Sequence, residues 1–342
     1  MYFVPMLIGN ANTLSDTQTF WERQAQTVLV TGAQSPLGCR VVERLNQSGW
    51  IVRVLLSPGQ TRPVHLSSRV ISVEGSLTNG ESLKFALQDC HRVLHLEELA
   101  LSRNPEQLRT ENIEYTRSLV KACKEANVRQ FVLVSTAKIC YRTHSSYSRT
   151  KKTAEDVLRG SGLNWTIVRP TLVVGSDGSP EYHWLRSWVK RSRFLPIPER
   201  GSVVKRPVHE DDFSEGLDLL LCANPSVVAH KTYFMAGRSA MTVTDLVHMI
   251  AGEHSLSQRI VLDVPTWFFQ IGAHALRWTL PHLPVNFHDL LRGLLEDCDP
   301  DIQPAMEDFG FRPRHIAGRL ARVTHPEAPT QHPTPRPSSQ RA

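Results

Sequence analysis

Tyr147 and Lys151 stand four residues apart in THSSYSRTKKTAEDVLRGSG, where apolar positions continue through Ala154 and Leu158 at helical spacing. That spacing puts the phenol and the ammonium one turn apart on one helix face. An ammonium beside a phenol favours the phenolate, so such a tyrosine can exchange a proton nearer neutral pH than its ordinary pKa of about 10 permits. Just upstream, FVLVSTA ends in Ser135 and Thr136, hydroxyls that can orient a substrate oxygen. On an arbitrary helix the Tyr-Lys pair would be an ordinary solvated couple. Its place directly after a fifth apolar run, in a chain that opens with the loop described next, favours catalysis.

TGAQSPLG, residues 31–38, follows the apolar run Thr27-Val28-Leu29-Val30 and leads into a helical pattern. A strand-to-helix loop of this kind presents backbone N–H groups at the positive end of a helix dipole, where a dinucleotide pyrophosphate can sit. The expected cofactor contacts are Thr31, Gly32, Gln34, Ser35, Pro36, Leu37 and Gly38. Gly32 permits the tight turn and Gly38 permits close helix packing, whereas Ser35 occupies the place usually held by a middle glycine. Its Cβ crowds the phosphates while its hydroxyl can donate to them.

No Asp or Glu occurs from Arg44 to Val73, although Arg53, Arg62 and Arg69 do. With no carboxylate to meet a ribose 2′-hydroxyl, the expected cofactor is NAD(P) with a lean to NADP, and Arg62 is its expected contact. Arg53 and Arg62 read equally well as a snorkelling strand residue and a loop charge. Two features weigh against the site. Glu97-Glu98 brings negative charge to the end of the fourth strand, and Ser76 stands where an aspartate commonly meets the adenine amino group.

The elements that must position these groups alternate. Val28–Val30, Ile51–Leu56, Val70–Val73, Val93–Leu96, Phe131–Ser135 and Trp165–Val168 read as strands buried on both faces, with helical stretches such as Gly38–Gln47 and Ile113–Ala126 between them. This is the pattern of an α/β fold with a Rossmann-type, doubly wound parallel sheet. The expected organisation is an extension over 1–26 and a cofactor domain over 27–175, with later returns near 203–236. A smaller C-terminal substrate lobe is expected from 176–202 and 237–322, and a proline-rich disordered tail over 323–342.

Composition bounds the rest. A net charge of +6 and a pI near 9.1, with no Lys/Arg run longer than two, fit a mildly basic surface and give no reason to expect nucleic acid as a partner. Six cysteines without a CxxC suggest a reduced cytoplasmic protein, and none of the 15 histidines has a ligand spacing, so no metal is expected. The apolar stretch Trp267–Leu280 carries Gln270, His274 and Arg277, which argues against a transmembrane span and leaves a packed helix or a peripheral membrane contact.

Taken in order, TGAQSPLG, Asn112 in ENIEYTRSLV, YSRTK, WTIVRPTLVVG and KRPVHEDDF resemble the short-chain dehydrogenase/reductase superfamily, in its extended or atypical, epimerase/dehydratase-like branch. YSRTK, RPT, RPVHEDD and DFGFRPRHI are similar to the group containing the NAD(P)-binding accessory subunit of respiratory complex I. The resemblance implies hydride transfer at a hydroxyl or keto carbon of a small molecule. In it Tyr147 exchanges the proton, Lys151 holds the nicotinamide ribose, and Thr136 or Ser135 binds the substrate oxygen, unless the register places Ala137 there. It also implies that Asn112 supports the site, that Arg169 and His209 border the substrate crevice, and that subunits pair as a homodimer. Arg169 reads equally as a structural ion pair.

Two functional readings follow. One is an NAD(P)-dependent oxidoreductase or epimerase, with a nucleotide sugar among its candidate substrates. The other is a non-catalytic NAD(P)-binding redox sensor or structural subunit of a larger complex.

Overall fold

The computed structural model describes residues 26–316, apart from 65, 97–101, 103, 143, 199–200, 255, 257–258, 266, 268–270 and 272–294. The expected N-terminal extension and proline-rich tail, most of the stretch Trp267–Leu280, and the Glu97-Glu98 pair therefore lie outside the described residues.

β1 (Thr27–Thr31) is TVLVT, buried at every position, as a central parallel strand covered on both faces requires. Ser35 then caps α1 (Pro36–Gln47), with Pro36 in the first turn, where its missing N–H and fixed φ are tolerated. The chain continues through β2 (Ile51–Leu56), β3 (Ile71–Glu74), α2 (Gly80–Ala86) and β4 (Arg92–His95). α3 (Pro105–Arg109) widens into a π-helical turn, Thr110–Glu114, before α4 (Tyr115–Glu125). β5 (Gln130–Val134) leads through a 3-10 turn, Ala137–Cys140, to α5 (Ser146–Arg159) and β6 (Trp165–Pro170).

There follow β7 (Val173–Val174), α6 (Pro180–Arg191), β8 (Phe194–Pro198), β9 (Val204–Lys205), β10 (Val208–His209) and α7 (Glu210–Cys222). The later elements are α8 (Pro225–Val228), β11 (Lys231–Met235), β12 (Met241–Thr242), α9 (Val243–Glu253), β13 (Ile260–Val264) and α10 (Gln303–Phe309).

Seven strands form one sheet in the order β11-β6-β5-β4-β1-β2-β3, with every neighbouring pair parallel. The order reverses at β1, so the crossovers beside it leave to opposite faces and open a crevice at the carboxyl ends of β1 and β4. The strands expected from the sequence are all present, with ends that shift slightly, but β3 is an edge strand that exposes Ile71, Ser72 and Glu74 instead of being buried on both faces; the Rossmann-type architecture stands. Alternation along β1 feeds two cores. Val28 and Val30 pack with Val41, Leu45 and Phe213 on one face, and Leu29 packs with Leu119, Phe131 and Leu158 on the other. A third core, including Tyr182, Leu185, Leu195, Val243 and Leu246, joins α6, β8 and α9 into a lobe beyond the sheet.

Candidate active site

The loop after β1 is built by its own residues. Gly32 turns at φ +78, a left-handed conformation that favours glycine, and a Cβ on Gly38 would lie 2.1 Å from the Gly32 carbonyl oxygen. Ser35 Oγ accepts the Gly38 N–H at 3.0 Å and donates to the Gly32 carbonyl at 3.1 Å. The first N–H groups of any helix lack intrahelical acceptors. Here Pro36 has none to offer and Gly38 gives its own to Ser35, which leaves the Leu37 N–H at the start of α1.

Ser145 caps α5 by accepting the Ser148 N–H at 3.0 Å, and the buried face of the helix runs through Tyr147, Lys151, Ala154 and Leu158. Lys151 is only 2% exposed, and its Nζ donates to the Val134 carbonyl at the end of β5 at 2.7 Å. Fully buried His95, at the end of β4, shares hydrogen bonds with Thr31 Oγ1 at 2.6 Å and Thr116 Oγ1 at 3.1 Å. Burial, aided by the Lys151 charge, pushes its imidazole down to about 3, so it stands neutral beside the crevice. The π-helical turn presents Asn112, whose Nδ2 donates to Thr150 Oγ1 at 3.1 Å and so ties the turn to α5.

Loop and helix face a common cavity of about 660 Å³. Gly32, Gln34, Ser35, Pro36, Leu37 and Gly38 form one wall, and Ser135, Thr136, Ala137 and Tyr147 another. The lobe closes it with Leu172, Trp184, Leu185, Val243 and Leu246, so the lining is predominantly apolar. Thr136 Oγ1 caps the 3-10 turn by accepting the Lys138 N–H at 3.3 Å. Burial alone would raise the Glu155 carboxyl, but the hydrogen bonds and charge of Arg169 outweigh it and hold the group below its usual range.

Several groups at this cavity escaped the sequence reading. Lys138 pairs with Glu181 at 2.6 Å and lies 5.6 Å from the centre of the Tyr147 ring. Burial would raise the Glu181 carboxyl, yet the Lys138 charge keeps it lowered. Lys205 is 5% exposed, lies 5.2 Å from the Tyr141 ring centre, and is pushed down to about 8 by burial. Cys298 lines the same wall, with its thiol raised by burial. Lys138 stands only two residues beyond Thr136 and could have been noticed. Glu181, Lys205 and Cys298 arrive from three separate segments and share no spacing.

Six expected site residues stand apart from the cavity wall: Thr31, bonded to His95, and Lys151, bonded to the Val134 carbonyl, lie behind it, and Arg62, Arg169, His209 and Asn112 are engaged elsewhere. Arg62 donates to the carbonyls of Val70, Leu66 and Ser67, so it closes its own loop instead of reaching toward a phosphate. Arg169 grips Glu155 through two hydrogen bonds, at 2.9 and 2.6 Å, which is the structural ion pair. His209 Nδ1 accepts the Asp211 N–H at 3.2 Å and caps α7. Asn112 acts through α5, as described. The acids after His209 face Arg40 on α1, which meets Asp211 at 2.7 Å and Glu210 at 3.0 Å.

Comparison with known proteins agrees with this geometry. Residues 32–185 match the NAD(P)H-binding family model, and this part of the chain is an NAD(P)-binding domain. The described fold matches those of solved epimerase and dehydratase structures. A dTDP-glucose 4,6-dehydratase of Streptomyces venezuelae, solved with NAD bound, superposes with a TM-score of 0.68 over 87% of this chain and 96% of its own, at 21% identity. A ceramide reductase of Caulobacter vibrioides is 29% identical over 198 residues, 58% of this chain and 61% of that protein. The mitochondrial NADH dehydrogenase [ubiquinone] 1 alpha subcomplex subunit 9 of Mus musculus is 25% identical over 296 residues, 83% of this chain and 76% of its own. The resemblance drawn from the five motifs is therefore borne out at the level of fold and cofactor domain.

Proposed function

We propose that the chain is an NAD(P)-dependent oxidoreductase in which Tyr147 exchanges a proton with a hydroxyl or keto oxygen. The observation that carries this reading is the shared cavity, which has the Gly32–Gly38 loop on one wall and Tyr147 on another. The loop fits a dinucleotide because it joins the crevice at β1 to an open N–H at the start of α1. Bound NAD(P) would supply or accept the hydride. As the substrate oxygen gains charge, the Tyr147 hydroxyl donates to it, and the nearby Lys151 ammonium stabilises the phenolate left behind. The Val134 carbonyl holds that ammonium, and neutral His95 adds no charge of its own. Ser135 is 1% exposed and Thr136 7%, so Thr136 is the wall hydroxyl more open to a substrate oxygen, and Ala137 beside it supplies none.

The apolar lining supports a substrate with a large apolar part ahead of a nucleotide sugar. Similarity to a ceramide reductase points the same way. Among the described residues no carboxylate lines the Gln34 and Gln60 end of the cavity, so both NADH and NADPH fit there. With Arg62 committed elsewhere, the lean to NADPH is about tenfold at most, the worth of one hydrogen bond to a charged group.

The second reading, a cofactor module without turnover, is supported by Ser35 and Pro36, which reduce the donors at the loop. Tyr147→Phe separates the two. Loss of NAD(P)H-linked carbonyl turnover with unchanged cofactor affinity supports catalysis. Turnover that survives the substitution sinks it.

A further inference from the structure

The lobe carries an outward sheet face that breaks the usual pattern of apolar-in and polar-out. β8 and β13 pair in parallel, with Phe194 opposite Ile260 and Pro196 opposite Leu262. Leu195 and Ile197 alternate inward and are fully buried, while Phe194 is 54%, Ile260 39% and Leu262 42% exposed. The outer positions are therefore apolar without exception, where a solvated two-stranded sheet would carry polar side chains. Immediately beyond β13, Trp267 and Ile271 are helical, four residues apart, and 63% and 58% exposed.

Cations border this surface. Residues 183–198, HWLRSWVKRSRFLPIP, hold four basic side chains and no acidic one. Lys190, Arg191 and Arg193 are exposed, and among the described residues no carboxylate lies within ion-pair distance of them. The Arg193 guanidinium lies 6.0 Å from the centre of the Phe194 ring. Arg259, one residue before β13, donates to the carbonyls of Val189 and Lys190 and so sits at the junction of α6 and the sheet. Asp263, the acid on this pair of strands, is exposed as well, but alternates with Leu262 to the other side.

Apolar side chains ringed by basic ones, with a tryptophan at the boundary, match the interface of a bilayer bearing negative headgroups. We propose that this face docks the protein on an anionic phospholipid membrane. Phe194, Ile260, Leu262, Trp267 and Ile271 enter the interface, and Lys190, Arg191 and Arg193 meet the phosphates. The inference is independent of turnover. α6 gives it a consequence for the site, because the helix lines the cavity at Glu181 and carries Lys190 about 14 Å further along its axis.

The test is co-sedimentation of the full chain with phosphatidylcholine vesicles, with and without phosphatidylglycerol. Binding is expected with the anionic vesicles and should fall as salt screens it. The Arg191→Gln, Arg193→Gln double variant should bind about thirtyfold more weakly with an unchanged melting temperature. A second variant, Leu262→Ser, should weaken binding without removing its salt dependence. Failure to sediment with either vesicle overturns the proposal, as does equal binding to both that the double variant leaves unchanged. A dimer in sedimentation velocity that Leu262→Ser dissociates would assign the face to a second copy of the chain, and also overturns it.

Discussion

Ser35 takes with its own side chain a donor that a bound phosphate would otherwise receive from the loop. Its Oγ takes the Gly38 N–H, and Pro36 has no N–H to add. Ser35 lies at φ −72, an ordinary extended conformation, so replacement by glycine needs no backbone change. Ser35→Gly should tighten NAD(P)H binding about tenfold by freeing one donor and removing a Cβ, at a stability cost of only a few tenths of a kcal/mol. Calorimetric titration reads the first effect and thermal melting the second; unchanged or weaker binding would show that the serine is itself a phosphate ligand. Tyr147→Phe should lower turnover by about two to four orders of magnitude while leaving the cofactor dissociation constant in place. The Tyr147 and Lys151 pair was legible because both partners lie on one helix turn. The Lys138 and Glu181 pair was not, since it joins a turn after β5 to a helix of the lobe and has no sequence period.

The helix that carries Tyr147 is fixed to the sheet by an ion pair. Glu155 is fully buried on α5, and Arg169 on β6 meets it at 2.6 Å, with Arg159 also reaching it at 2.9 Å. Arg169→Met removes the two-pronged partner and leaves the carboxylate to Arg159 alone, so stability should fall by about 3 kcal/mol. Urea unfolding checks this, and a change below about 0.5 kcal/mol would reduce the pair to a surface contact. β1 and β5 were legible because strands buried on both faces carry near-continuous apolar runs. The lobe was less so. β7, β9, β10 and β12 are two-residue pairings, set by contacts between distant segments instead of by local pattern. Arg169 and His209 were singled out by motif, but their contacts, with Glu155 and with the α7 N-terminus, emerge only from the packing of neighbouring elements.

Across the folded chain, the depressed imidazole of His95 links the crevice to acid stability. Its pKa of about 3 in the folded state lies below the ordinary value near 6.5, so the unfolded chain binds the extra proton between them. Stability is fully present above pH 6.5 and is lost as pH falls toward 3, by on the order of 5 kcal/mol in total. Denaturation at pH 7 and pH 4.5 should show a smaller acid loss in His95→Asn than in the natural chain; an equal loss would place the acid sensitivity in other groups. No helix among the described residues is long and apolar enough to cross a membrane.

The most direct measurement is a titration of the purified chain with NADPH and with NADH, following nicotinamide fluorescence and melting temperature together. Saturable binding that raises both, with NADPH equal to or moderately tighter than NADH, is the predicted result. Failure of either nucleotide to bind at millimolar concentration would contradict the account, because the loop, the crevice and Tyr147 would then share a cavity that holds no cofactor.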